Sequence, residues 1–160
     1  MGLDMYLQKE TYIGAMWEHR HITGQVVLKQ KGVKIPIQFK RILYITEEVA
    51  YWRKSNAIHK WFVDNVQDGN DDCGKYKVSI EQLRQLAGLC AIIIAAHEKD
   101  GSNDKAEELL PTQAGFYFGG TDYETYYYDD LRNTIDMIED AIKDVSEDDY
   151  NVRFYYESSW

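Results

Sequence analysis

The sequence predicts an α+β fold: a twisted antiparallel sheet of N-terminal strands plus a C-terminal strand, packed against about three helices in a single domain spanning residues 1–160. Two patterns predict it. Apolar residues alternate with period two near both ends of the chain, as on one face of a strand. Through the middle they recur at three-four spacing, as on one face of a helix. A length of 160 residues suffices for one core and is short for two.

Leu3, Met5 and Leu7 fall on one side of a first strand. Residues 25–31 and 33–45 are expected to form a β-hairpin turning at Lys31-Gly32, with Val33, Ile35, Ile37 and Phe39 alternating. The alternation slips at Lys40-Arg41, before Ile42 and Tyr44, which predicts a bulge; Pro36, with no N–H to donate, predicts an edge position. From Arg53 to Val66 the period changes. Ser55, Ile58, His59, Phe62, Val63 and Val66 share one helical face, with Ser55 or Asn56 as N-cap.

A second helix opens on the capping box Ser79-Ile80-Glu81-Gln82, turns Leu83, Leu86, Cys90, Ile93 and Ile94 inward, and runs to about Glu98. Residues 99–104 and 115–120 are breaks, the second rich in aromatics, and a short helical turn is expected at 106–110 before Pro111. A third helix is expected from another capping box, Thr121-Asp122-Tyr123-Glu124. Its stripe, Tyr128, Leu131, Ile135, Ile138, Ile142 and Val145, would pack on the sheet or on a second copy, giving a homodimer through residues 128–145. Val152, Phe154 and Tyr156 alternate as a final strand that pairs near the first.

A net charge of −9 argues against duplex nucleic acid or an anionic membrane as main partner, although local basic patches are compatible with it. The longest apolar run, residues 89–96, is too short to span a bilayer, and the N-terminus lacks a signal-peptide pattern. Cys73 and Cys90 are the only cysteines, too few for a disulfide scaffold. These features lead us to expect a cytoplasmic protein with reduced thiols.

Chemistry concentrates at one strand-to-helix junction, residues 51–62, which holds Trp52, Arg53, Lys54, Asn56, His59, Lys60 and Trp61. A helix starting near Ser55 would turn free N–H groups and the positive end of its dipole toward Arg53 and Lys54, a candidate phosphate site. Trp52, and Trp61 set roughly 130° off the apolar stripe, offer flat surfaces on which a base could stack. The competing reading makes both tryptophans core and gives Arg53 and Lys54 nearby carboxylates to neutralise. His59, on the apolar stripe, reads as a core histidine bonded to Asp4, Tyr6 or a backbone carbonyl, or as a group that orients a ligand.

Other clusters carry less. His19 and His21 have a spacing that zinc can use, but no second ligand pair accompanies them, so no metal is assigned. Asp71-Asp72-Cys73-Gly74 has no His near it in sequence, and there is no Walker loop, nucleophile elbow or zinc-protease helix, so neither a catalytic residue nor a cofactor is assigned. Tyr123, Tyr126 and Tyr127 sit off the third helix's stripe and are expected at an interface or ligand mouth. Asp144, Glu147, Asp148 and Asp149 at that helix's end read as a solvated acidic face or a surface for a basic partner.

Several segments, 2–7, 48–54 with Asn56, Ile58, His59, Trp61 and Phe62, 109–112, Gly115-Phe116, Phe118-Gly119 and the terminal Ser158-Ser159-Trp160, resemble a family of small phage- and prophage-encoded proteins. The resemblance implies a phage setting and carries over no site residue. In that setting the residues lead us to expect a non-enzymatic binding protein that sequesters a small phosphorylated ligand, a nucleotide immune signal, and so counters host defence. Trp52 would stack, Arg53 and Lys54 pair phosphate, and Asn56, His59 and Trp61 complete the site. The alternative is an acidic inhibitor that covers a host defence protein; a hydrolase or nucleotide-modifying enzyme built on His59 with Cys73 or a carboxylate is a third.

Overall fold

The computed structural model describes residues 2–14, 24–146 and 148–160; the His19/His21 pair and Glu147 lie outside them. Among the described residues six strands and four α-helices follow one another as β1 (Asp4–Tyr12), β2 (Leu28–Gln30), β3 (Val33–Ile35), β4 (Tyr44–Arg53), α1 (Asn56–Asn65), β5 (Tyr76–Val78), α2 (Ile80–Asp100), α3 (Asp104–Leu109), α4 (Thr125–Ile142) and β6 (Val152–Ser159). Four of the strands form an antiparallel sheet in the order β4-β1-β6-β5, and β2 and β3 form a separate hairpin. The fold is α+β, as the two apolar periods require.

Alternation builds the buried face of the sheet. Leu3, Met5 and Leu7 are fully buried together with Phe154 and Tyr156 from β6, each side chain contributing about 1.5–3 kcal/mol of apolar burial. Trp52 of β4 joins them, and Phe62 of α1 closes the layer by stacking on Tyr156 with ring centroids 3.9 Å apart. On the opposite face Tyr6 and Tyr51 pair ring to ring, 5.4 Å apart.

The hairpin is shorter than its alternation predicts. Lys31 and Gly32 both take positive φ, 48° and 82°, the two-residue turn whose twist matches paired strands. Strand pairing ends at Ile35, just before Pro36, and the slip at Lys40-Arg41 is a single 3-10 turn, Phe39–Arg41, rather than a bulge. The bulge falls instead in β4. Leu7 faces Ala50 and Gln8 faces Glu48, so Val49 is skipped; this turns Ala50 and Trp52 inward and leaves residues 44–48 exposed.

The Ser79 capping box forms with both reciprocal hydrogen bonds, and α2 ends at Gly101, whose φ of 72° gives the left-handed C-cap. The second capping box does not form. Thr121 spends its carbonyl on the Thr112 hydroxyl, 2.9 Å away, Glu124 is extended, and α4 begins only at Thr125. The α4 stripe packs against α2 and β4, with Tyr128, Leu131, Ile138 and Val145 buried. Most of it is spent within this chain, Ile135 and Ile142 being partly buried, which leaves little apolar seam for the homodimer expected through residues 128–145.

Candidate functional site

The junction between β4 and α1 is held in place by its neighbours. Lys54 donates its N–H to the Leu3 carbonyl at 2.8 Å, and Arg53 faces Asp4 across the sheet, with its guanidinium 3.9 Å from the Asp4 carboxylate. Asp4 also accepts from the Tyr51 hydroxyl at 2.5 Å. Lys54 has φ of 61°, a left-handed conformation that a non-glycine residue keeps only where its surroundings enforce it. Against it lies Gly119, itself at φ +97°.

Asn56 fastens the loop that carries Gly119. Its Nδ2 donates to the carbonyls of Phe118 at 3.2 Å and Gly120 at 2.8 Å, and its Oδ1 accepts from the Gln113 N–H at 2.9 Å. Both amide donors are thus spent on backbone, so Asn56 shapes the site's wall and has no donor left for a ligand.

Of the two N-cap candidates, Ser55 is the N-cap of α1, yet its side chain caps nothing. Its hydroxyl donates instead to the Asp130 carboxylate of α4. The first-turn N–H groups of α1 therefore face the junction without a side-chain acceptor among the described residues. They open onto a cavity of about 330 Å³ lined by Arg53, Lys54, Ser55, Thr112, Gly119, Gly120, Asp122, Glu124, Tyr126 and Asp130 among others. Burial pushes the Asp130 carboxyl above the usual carboxylate range, the Ser55 hydrogen bond opposes that rise, and neighbouring Asp129 adds to it. Tyr126, 86% exposed, stands at the mouth.

Both tryptophans are core. Trp52 is buried, donates from Nε1 to the Thr134 hydroxyl at 2.8 Å and packs on Phe62, so its faces are closed to a base. Trp61 is buried edge to face with Phe62. Its angle from the apolar stripe misleads because α1 is engulfed on nearly every side: from Asn56 to Val63 only Lys60 is not buried.

His59 is 0% exposed. Its Nδ1 lies 2.7 Å from the Tyr156 hydroxyl and its Nε2 3.1 Å from Asp71, whose other oxygen accepts from Trp160 Nε1 at 3.0 Å. Desolvation raises Tyr156 well above the usual phenol range. The Asp71 carboxylate only accepts, so Nε2 is the donor in that contact; in the neutral ring Nδ1 then accepts from the Tyr156 hydroxyl. With both nitrogens engaged and no exposure, His59 meets no substrate. Its partners are Tyr156 and Asp71, not Asp4, Tyr6 or a carbonyl.

The structure thus brings Arg53 and Lys54 to the cavity and Asn56 to its wall, and places Trp52, His59 and Trp61 in the core behind it. Tyr123, Tyr126 and Tyr127 divide: Tyr126 is exposed, Tyr123 is half-buried, and Tyr127 is buried with its hydroxyl on the Leu110 carbonyl at 2.9 Å. Tyr127 is therefore no partner surface. Sequence reasoning missed Gln113, Asp122, Glu124 and Asp130 as neighbours of the junction; the Gly119-Gly120 doublet was the visible sign that a second segment came close.

Among the described residues there is no cluster of three or more metal-ligating side chains, and no helix is long and apolar enough to cross a membrane. Comparison of the chain with protein-family models, curated proteins and solved structures finds no match.

Proposed function

We propose that the protein captures a small phosphorylated ligand in the cavity at the start of α1. The observation that carries this reading is the meeting of an uncapped helix N-terminus with Arg53 and Lys54 in one cavity. A volume of about 330 Å³ sits at the low end of small-ligand pockets, which span roughly 300–1,000 Å³. Asp122, Glu124 and Asp130 in the same cavity supply acceptors, so the ligand has hydrogen-bond donors as well as phosphate, as the ribose and base of a nucleotide do. Tyr126 takes over the stacking role that Trp52 cannot fill. In the phage setting that the resemblance implies, sequestration of a nucleotide signal of host defence is the biological reading.

Isothermal titration with a nucleoside 5′-phosphate and the matching nucleoside tests this. The phosphate form should bind, and replacing Arg53 and Lys54 together with Ala should weaken it at least about ten-fold, since a hydrogen bond to a charged group contributes about 1.5–3 kcal/mol. Unchanged affinity in that variant would remove the reading.

A second reading is an acidic surface that covers a basic host protein. It is favoured by one observation: exposed Tyr126 stands beside the exposed carboxylates of Asp122, Glu124 and Asp129. Such a complex would weaken with salt and would survive the Arg53 and Lys54 changes.

A further inference from the structure

Residues 24–46 differ from the rest of the chain in both charge and exposure. Five of the 18 Lys and Arg residues, Lys29, Lys31, Lys34, Lys40 and Arg41, fall there and none of the 27 Asp and Glu do, so from a total of −9 the remainder carries −14 (−9 less +5). The same stretch turns Val27, Leu28, Val33, Ile35, Ile37 and Leu43 to solvent, Val33 at 70%. Apolar side chains gathered this densely on an exposed hairpin mark a surface that something covers.

The stretch runs directly into β4, the outer strand of the main sheet. Among the described residues the free edge of β4 has no strand partner, and residues 44–48 are exposed, Tyr44 and Ile45 included. An unpaired edge of this length is a template for another strand. Beside it, Glu47, Glu48, Asp140 and Asp144 surround a shallow depression with Val49, where Lys9 and Lys143 answer part of the charge. The basic apolar stretch thus enters β4 at Tyr44, and the acidic patch takes in Glu47 and Glu48 of the same strand.

We propose that a second copy of this chain covers that surface. The β4 edges of two protomers pair antiparallel about a two-fold axis near Thr46, and each basic hairpin lies on the other's acidic patch. An axis there sets Tyr44 of one protomer opposite the partner's Glu48. The hairpin leading into Tyr44 then leaves the strand beside the partner's Val49 and its carboxylates. A two-fold contact requires one patch that complements itself, and hairpin plus acidic patch provide that. An anionic membrane or a nucleic acid would meet the hairpin but be repelled by the −14 of the remainder.

Sedimentation at physiological ionic strength tests the proposal. Wild type should run at about twice 18.7 kDa. Lys29, Lys31 and Lys34 changed together to Glu should give a folded monomer, with an unchanged circular dichroism spectrum. Adding Glu47→Lys and Glu48→Lys should restore the dimer, since reversed charges again face each other. A wild-type monomer at about 100 µM, far above the dissociation constants of specific interfaces, overturns the proposal. So does a dimer indifferent to the first reversal, or a first reversal that the second fails to rescue. A monomer that co-sediments with phosphatidylserine vesicles also overturns it, and assigns the hairpin to a lipid surface.

Discussion

Gly119 lies so close to Lys54 that a Cβ on it would come within 2.9 Å of the Lys54 carbonyl oxygen. Both residues hold positive φ, 97° and 61°, so the β4–α1 junction and the 113–120 loop enforce each other's conformation. The cavity's shape depends on this contact, because its floor comes from the junction and one wall from the loop.

Gly119→Ala should therefore cost about 1–3 kcal/mol of stability, from backbone strain and from the clash. Asn56→Ala, which leaves two carbonyls and one N–H of the loop without their partner, should cost about 2 kcal/mol or more. Urea unfolding measures both. A shift of less than about 0.5 kcal/mol in each would mean that the loop does not depend on Asn56.

Much of this fold was legible in the sequence because local pattern and tertiary environment agree. Leu3, Met5 and Leu7, the Ser79 capping box, and Val152, Phe154 and Tyr156 all sit where their periods place them. The failures share a cause: a distant segment decided the local outcome. Thr121 stayed in the loop with its carbonyl accepting from Thr112, Trp61 was buried by packing on nearly every side of α1, and Asn56 turned to the loop. Of the site, the cations and the helix start were visible as a run of adjacent residues. Asp130 and Gln113 were not, since they reach the junction from 75 and 57 residues away.

Asp130 gives a pH dependence with a definite sign. Its carboxyl titrates above the unfolded value because of burial, so the folded state binds the extra proton more readily. Stability contributed by protonated Asp130 is present below the unfolded pKa and is lost as pH rises through the folded one. Asp130→Asn, which can still accept from Ser55, should be more stable than wild type at neutral pH, and the gap should close as pH falls toward about 4. Urea midpoints across that range check it; a gap that widens on acidification would contradict the assignment.

His59, Tyr156 and Asp71 hold α1, β6 and the 66–75 loop together through one buried and one partly buried hydrogen bond. His59→Ala should cost about 3–5 kcal/mol, combining a cavity with an orphaned Tyr156 hydroxyl. Asp71→Ala, at a partly exposed position, should cost about 1–2 kcal/mol and free the Trp160 indole. Thermal unfolding of both variants reads the order. If Asp71→Ala proved the more damaging, the network would not be organised around the buried imidazole.

The two thiols should separate cleanly by reactivity. Cys90 is fully buried on α2, and desolvation pushes its thiol up to about 12, so at neutral pH almost no thiolate exists there to attack a disulfide reagent. Cys73, partly exposed at the loop between α1 and β5, has access to the reagent. A native sample should release one equivalent of thionitrobenzoate quickly, and the second should appear only on unfolding, at a rate set by opening of the α2 core rather than by reagent concentration. Fast release of both equivalents from native protein would place α2 outside the stable core. It would also undo the packing of α4 on α2, against which the Tyr127 and Leu131 side of the cavity is built.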